Sequence, residues 1–321
     1  MRFGSRVIQV ALLAVALLAP SVARAEPPLA PEGHGVLPAS TSGEVLDREV
    51  APPTPWCHAE LEALPNDVCY AKGPTSKSGK RTLVIFLHGL VEQGTDWQHS
   101  LQRGMKAAGK RLDFSLLAPR GRTKVGPGKS ESTVAWPSRD RTLEDEVIGE
   151  WLAAQKLIEK REGAPFDEVF VMGFSNGAYY ASSLALRGRL EVDGYGVFAG
   201  GSAPKGTVSA SKGTKTRKPL FLAIASKDET AKKGKELAKA LKELKWPHRV
   251  ASAPVGHVVA DSQLEQGLAY LRGRAEKAAQ ESDEPKPTAA KSKSKSKKTA
   301  TAPKHKKKSS KDKTKKPKKK A

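Results

Sequence analysis

Val169-Phe170-Val171-Met172-Gly173-Phe174-Ser175-Asn176-Gly177-Ala178-Tyr179-Tyr180 is the stretch on which the reading of this 321-residue chain turns. It begins as an apolar strand, Glu168 to Gly173, and ends in a segment suited to a helix, Asn176 to Arg187. Between them stands Gly173-x-Ser175-x-Gly177. A serine on so sharp a strand-to-helix turn adopts strained backbone geometry and projects above the sheet, and the flanking glycines let strand and helix approach closely. The pattern alone is a modest signal. A glycine- and serine-containing turn with no chemistry is the plainer alternative. The strand before it, the helix after it and the partners described below favour a nucleophile.

Strand and helix signals alternate outward from this turn. Upstream, Arg81 to Leu87 is a continuous apolar run, as expected of a strand buried on both faces. Trp97 to Lys110 suits a helix, and Leu112 to Ala118 a second buried strand stopped by Pro119. Arg120 to Arg139, full of Gly, Pro, Ser and charge, reads as a long loop and a place for a lid. Thr142 to Arg161 reads as a helix capped by Thr142, with Glu144, Asp145 and Glu146 in its first turn. Downstream, Tyr195 to Ala199, Pro219 to Ala225 and Arg249 to Ala253 suit strands. Glu229 to Lys245 and Asp261 to Arg272 suit helices. Such alternation predicts a mostly parallel sheet with helices on both faces. There is no internal repeat.

The flanks are of a different kind. Residues 1–25 resemble a secretory signal: Arg2 and Arg6 are followed by an apolar run from Val10 to Ala19, and Ala23-Arg24-Ala25 fits small-residue cleavage, which would leave Glu26 first. The run falls short of the about 20 apolar residues a spanning helix needs, and no later stretch supplies a transmembrane segment. A secreted or periplasmic location is therefore expected. Residues 26–55, rich in Pro, Gly, Ala and Ser, read as a linker. Residues 56–275 read as the catalytic domain, about 230 residues of foldable sequence with the lead-in, and enough for one α/β core. Residues 276–321 read as a disordered tail. Lys291 to Ala321 alone holds 16 Lys, no Arg and one acid, a charge of +15 out of +22 for the chain. The high isoelectric point thus belongs to the tail rather than to the body. With no aromatic residue, the tail has nothing to stack on bases. It is a solubilising spacer or a tether to a polyanion such as acidic lipid, lipopolysaccharide, acidic polysaccharide or extracellular DNA. The only cysteines, Cys57 and Cys69, are expected to pair in an oxidising compartment.

A serine needs a base, and the base an orienting acid. On a sheet with such a turn they follow in the order serine, acid, histidine. Three histidines follow Ser175. His305 lies in the tail, and His248 at the start of a strand, away from the active edge. His257, in Pro254-Val255-Gly256-His257 after the last strand, is the candidate. The acid is expected after Phe221-Leu222-Ala223-Ile224-Ala225-Ser226, where Asp228 is chosen over its neighbour Glu229; Asp193 and Asp261 are weaker alternatives. Either acid of the pair also suits a helix N-terminus. Two backbone N–H groups for a developing oxyanion are expected from Asn176 and from Leu90 in His88-Gly89-Leu90.

Leu87-His88-Gly89-Leu90 with Gly94 and Trp97, Leu117-Ala118-Pro119-Arg120, Trp136, Gly173-Phe174-Ser175-Asn176-Gly177, Ala199-Gly200 and Gly256-His257 together resemble the phospholipase/carboxylesterase and acyl-protein-thioesterase branch of the α/β-hydrolases. The likeness runs from Arg81 to Arg272. It implies an α/β-hydrolase fold and cleavage of short or medium carboxylic esters or thioesters by a serine hydrolase, with no metal or cofactor. Trp97 and Trp136 are expected near the substrate pocket. The chain departs from the branch at Val91-Glu92, where Gly-Asp is common, at Asn176, where Gln is usual, and at Glu229-Thr230-Ala231 after the acid. The substrate, small or polymeric, is not fixed by these motifs. A polyester or acylated polysaccharide, and an idle hydrolase body serving only to carry the basic tail, are the alternatives.

Overall fold

Continuous apolar runs become strands covered on both faces. The computed structural model describes residues 55–137 and 141–283, all within one of two units of the chain, residues 52–321. The expected signal segment at 1–25, the linker up to residue 54, part of the long loop (138–140) and the tail from residue 284 lie outside the described residues.

In chain order the elements are β1 (Glu62–Leu64), β2 (Val68–Ala71), β3 (Thr82–Leu87), β4 (Val91–Glu92), α1 (Trp97–Leu112), β5 (Ser115–Ala118), β6 (Thr133–Val134), α2 (Arg141–Glu162), β7 (Glu168–Phe174), α3 (Asn176–Arg187), β8 (Gly194–Phe198), α4 (Lys205–Ser211), β9 (Leu220–Ala225), α5 (Ala231–Glu243), β10 (His248–Ala253) and α6 (Asp261–Asp283). Eight strands form one sheet in the order β1-β2-β5-β3-β7-β8-β9-β10. From β5 to β10 all neighbours are parallel; β2 is antiparallel to β1 and β5. This is the α/β-hydrolase fold, as the sequence led us to expect.

The two-residue period of a strand divides the core. Leu83, Ile85, Val171, Leu222 and Ile224 pack beneath α2, α3 and α5, with Trp151, Tyr180 and Leu237. Val84, Phe86, Phe170, Met172, Phe174 and Phe221 pack beneath α1 and α6, with Met105, Leu264 and Leu268. Burying a large side chain of this kind contributes about 1.5–3 kcal/mol, so both faces anchor the parallel edge that carries the turn at Ser175.

Several details differ from the sequence reading. The lead-in forms two further strands, β1 and β2, and Cys69 lies within β2. Cys57 and Cys69 form the expected disulfide, so the bond ties the lead-in directly to the sheet. Leu112 ends α1 rather than starting a strand, because Asp113 adopts the left-handed conformation (φ 57°) that closes a helix. The loop after β5 is not free: β6 pairs antiparallel with β4, and Arg122 bridges Ala135. Helix α2 starts at Arg141, which puts Thr142 inside the first turn instead of at the cap. Glu144 is buried and paired with Arg187 at 2.6 Å and Arg189 at 2.8 Å, so its role is an ion-pair network rather than dipole compensation. Helix α6 continues through Asp283, so residues 276–283 belong to the fold and not to the tail. The good helix formers Ala275, Glu276, Lys277, Ala278, Ala279 and Gln280 carry it on, Glu276 pairs with Lys80 at 3.5 Å, and no proline intervenes before Pro285.

Candidate active site

Strand β7 ends at Phe174 and α3 starts at Asn176, so Ser175 alone makes the turn. Its backbone sits at φ 53° and ψ −117°, an unusual conformation for a non-glycine residue. The surroundings hold it there. Ser175 N–H donates to the Phe198 carbonyl at 3.0 Å, and the Ser175 carbonyl accepts from Ala178 N–H at 2.9 Å. The two motif glycines are required sterically. A Cβ on Gly173 would lie 2.2 Å from the Gly177 carbonyl oxygen, and one on Gly177 would lie 2.1 Å from that of Leu87. Gly200 backs onto the same turn, where a Cβ would meet the Ser175 carbonyl oxygen at 2.8 Å.

His257 lies beyond the end of β10, on the same edge of the sheet. Its ring packs on Phe174 with centroids 4.8 Å apart. Its Nδ1 is 2.5 Å from Asp228 Oδ2. An ionised carboxylate only accepts, so Nδ1 carries the hydrogen and Nε2 is the free nitrogen. The Asp228 side chain is 2% exposed and that of His257 42%. The second carboxylate oxygen, Oδ1, accepts from Thr230 N–H at 3.1 Å, so Asp228 also serves the start of α5. Burial pushes the Asp228 carboxyl up, but the bonds from His257 and Thr230 outweigh it and hold the group below its ordinary range. Asp228 is therefore ionised where it faces the imidazole.

The alternatives go elsewhere. Glu229 is exposed. Asp193 accepts from Val169 N–H at 2.8 Å, at the far end of the sheet. Asp261 pairs with Arg111 at 3.0 Å. His248 starts β10, and its Nδ1 lies 2.7 Å from the Trp246 carbonyl oxygen.

The expected oxyanion loop adjoins the turn. Gly177 N–H donates to the His88 carbonyl at 3.0 Å. A Cβ on Gly89 would lie 3.2 Å from Ser175 Cβ and 3.4 Å from the Trp97 ring, so Leu90 follows a backbone pressed against the serine. Asn176 is the first residue of α3, and its N–H has no acceptor within the helix. Its side-chain Oδ1 accepts from Trp136 N–H at 3.1 Å.

Two residues act differently from the sequence reading. Trp136 is 1% exposed, so it is no wall of an open pocket. It stacks on Tyr180, and its Nε1–H donates to the His88 carbonyl at 2.8 Å, bracing the loop from within. His88 is buried between Trp56 and Trp136. Gly121 N–H donates to its Nε2 at 3.0 Å, which leaves Nδ1 as the donor to the Gly89 carbonyl at 2.6 Å. Burial pushes the imidazole down to about 4, against the raising effect of the Gly89 bond and with some help from Arg120. His88 is thus a neutral clamp on the loop that leads to Leu90. Its position at the end of a buried strand, before a glycine, was the only sequence signal. Trp97 is 42% exposed and stacks on Phe174. Among the described residues, no group of three or more His, Cys, Asp or Glu side chains is placed to hold a metal ion.

The sheet and the turn define an α/β-hydrolase. More narrowly, the chain belongs to the dienelactone hydrolase family, whose profile matches residues 123–285, a span that includes Ser175, Asp228 and His257. Similar solved structures include SOBER1 of Arabidopsis thaliana, at 18% identity over 60% of this chain and 99% of that one, with a TM-score of 0.45. Another is esterase PE8, at 22% identity over 67% and 99%, with a TM-score of 0.45. A third is a carboxylesterase of Bacillus cereus, at 16% identity over 67% and 95%, with a TM-score of 0.46. No match was found among curated proteins.

Proposed function

We propose that this hydrolase cleaves carboxylic esters or thioesters through an acyl-enzyme on Ser175, and that it works outside the cytoplasm. The observation that carries the reading is the strained Ser175 turn beside His257, whose Nδ1 is committed to the ionised Asp228. In this mechanism His257 Nε2 takes the proton of Ser175 Oγ as the oxygen attacks the acyl carbon. Backbone N–H groups of Leu90 and Asn176 hold the oxyanion. The carbon–oxygen or carbon–sulfur bond breaks, and His257 returns the proton to the departing alkoxide or thiolate. Water then attacks the acyl-enzyme, its proton passing to His257 and back to Ser175 Oγ. Asp228 fixes the imidazole tautomer and stabilises the imidazolium. Pre-positioned donors of this type typically contribute about 2.7–4 kcal/mol each to the transition state.

The test pairs chemistry with labelling. A fluorophosphonate probe should label the parent protein and not Ser175→Ala, and nitrophenyl acetate turnover should fall by at least about three orders of magnitude in the variant while its thermal unfolding is kept. Equal turnover in the two proteins would overturn the reading. The location rests on residues 1–25 and on the cysteine pair, and N-terminal sequencing of exported protein should begin at Glu26.

A further inference from the structure

An apolar cleft of about 320 Å³ runs between α1 and α6 and reaches the site. Met105 and Leu264 line its depth, Phe174 its floor, and Trp97 and Val258 its mouth. His257 lines it as well. Val258 is 49% exposed and Trp97 42%, so two large apolar side chains face solvent where substrate must enter. Isolated exposed apolar residues need no explanation, but here they continue one lined cleft. The volume is at the small end of ligand sites, suited to one chain rather than a bulky ring system.

We propose that this cleft seats the alkyl chain of the leaving alcohol, which makes esters of medium-chain aliphatic alcohols the favoured substrates. The inference rests on the serine-hydrolase reading above. Its direction comes from proton delivery. Asp228 occupies Nδ1 of His257, so Nε2 must reach both Ser175 Oγ and the departing oxygen. The leaving oxygen therefore lies against the imidazole, and the chain attached to it continues along the surface the imidazole borders. That surface is the cleft. Leu90 and Asn176, the proposed oxyanion donors, are not among the residues that line the cleft.

Gly104 supplies the means of testing this. It lies within α1 and lines the cleft, and nothing stands within 4 Å of where its Cβ would be. A Cβ there meets open space at the cleft's lining, so a larger side chain can be introduced at that point, and helix propensity favours the change. The assay is kcat/KM for acetate esters of ethanol, butanol, hexanol and octanol, beside ethyl esters of acetic, butyric, hexanoic and octanoic acid. The parent should gain up to about fourfold per methylene of alcohol, until the cleft is full, and little with acyl length. Gly104→Leu should lose the gain with longer alcohols, read as the ratio of kcat/KM for octyl acetate to that for ethyl acetate. Ser100→Phe, at the cleft's rim, should act in the same direction and guards against a local effect of the first variant. Persistence of the alcohol gain in both variants overturns the proposal, and so does a gain that follows acyl length instead. Absence of Ser175-dependent hydrolysis of every ester would show in the parent before any comparison, and would remove the serine-hydrolase reading as well.

Discussion

Acidifying the protein from about pH 7.5 to about pH 4 should remove about 3 kcal/mol of stability through His88 alone. The imidazole is buried, sandwiched by Trp56 and Trp136, and its two nitrogens are committed to Gly121 N–H and the Gly89 carbonyl. A second proton would have to displace Gly121 N–H from Nε2. The folded protein therefore holds His88 neutral down to about 4, against an ordinary value of 6.5. In the unfolded chain the same group takes its proton near the ordinary value. Between the two values the unfolded state binds more protons, so stability rises with pH there. The contribution is complete above the unfolded value and is lost as pH falls toward the folded one. At about 1.36 kcal/mol per pKa unit, the depression corresponds to about 3 kcal/mol. The assay is urea unfolding by tryptophan fluorescence at intervals across this range, for the parent and for His88→Gln. The variant should start less stable, because a flexible amide replaces a fixed clamp, yet its stability should fall by about 3 kcal/mol less across the titration. Other titrating groups act in both proteins and cancel. Parallel stability curves would refute the argument that His88 is the proton-excluding group.

Asp228→Asn should lower the esterase rate by about four orders of magnitude, because an amide cannot hold the productive imidazole tautomer, while Glu229→Gln should change it by less than about twofold; steady-state kinetics on a nitrophenyl ester separates the two. Gly177→Ala should destabilise the fold by about 3 kcal/mol or more in urea titration, since its Cβ would collide with the backbone carbonyls of Leu87 and His88. Replacing Cys57 and Cys69 together by Ser should cost about 3 kcal/mol, the loop-closure contribution of a short cross-link, with ester turnover retained. We propose that the +15 charge of residues 291–321 tethers the protein to polyanions by counterion release, so removing that segment should abolish low-salt retention on heparin and leave hydrolysis of a small ester unchanged.

The parallel core and the serine turn were legible because their signals are local. A strand covered on both faces is a near-continuous apolar run: β9 is apolar throughout, β3 after Thr82 and β7 after Glu168. The turn at Ser175 writes its steric needs into Gly173 and Gly177, within two residues of the serine on either side. The short strands β1 and β2 gave no such signal. β1 pairs with β2, and β2 joins the sheet only where Cys69, Tyr70 and Ala71 meet β5, far along the chain. The same holds at the bottom of the cleft, where Met105 and Leu264 meet only because α1 and α6 cover one face of the sheet.

Trp136 and the acid pair show where sequence reasoning reaches its limit. An aromatic residue in a polar, glycine-rich loop suggests an exposed wall. The pairing of β6 with β4 instead turns Trp136 inward, where its indole N–H finds the His88 carbonyl. The tryptophan, expected near the substrate pocket, is instead buried and braces the loop of His88 from within. Asp228 and Glu229 pose the opposite difficulty: both acids suit the chemistry, and one residue separates them. Of the two, the turn after β9 brings Asp228 to His257. Asp228 N–H bonds to the Ala225 carbonyl, and the Asp228 carbonyl accepts from Ala231 N–H, so the Asp228 side chain faces back to His257 and Thr230. A carboxylate held on both oxygens cannot swing away when the imidazole charges. Its neighbour, exposed and without that double hold, cannot supply the same fixed orientation.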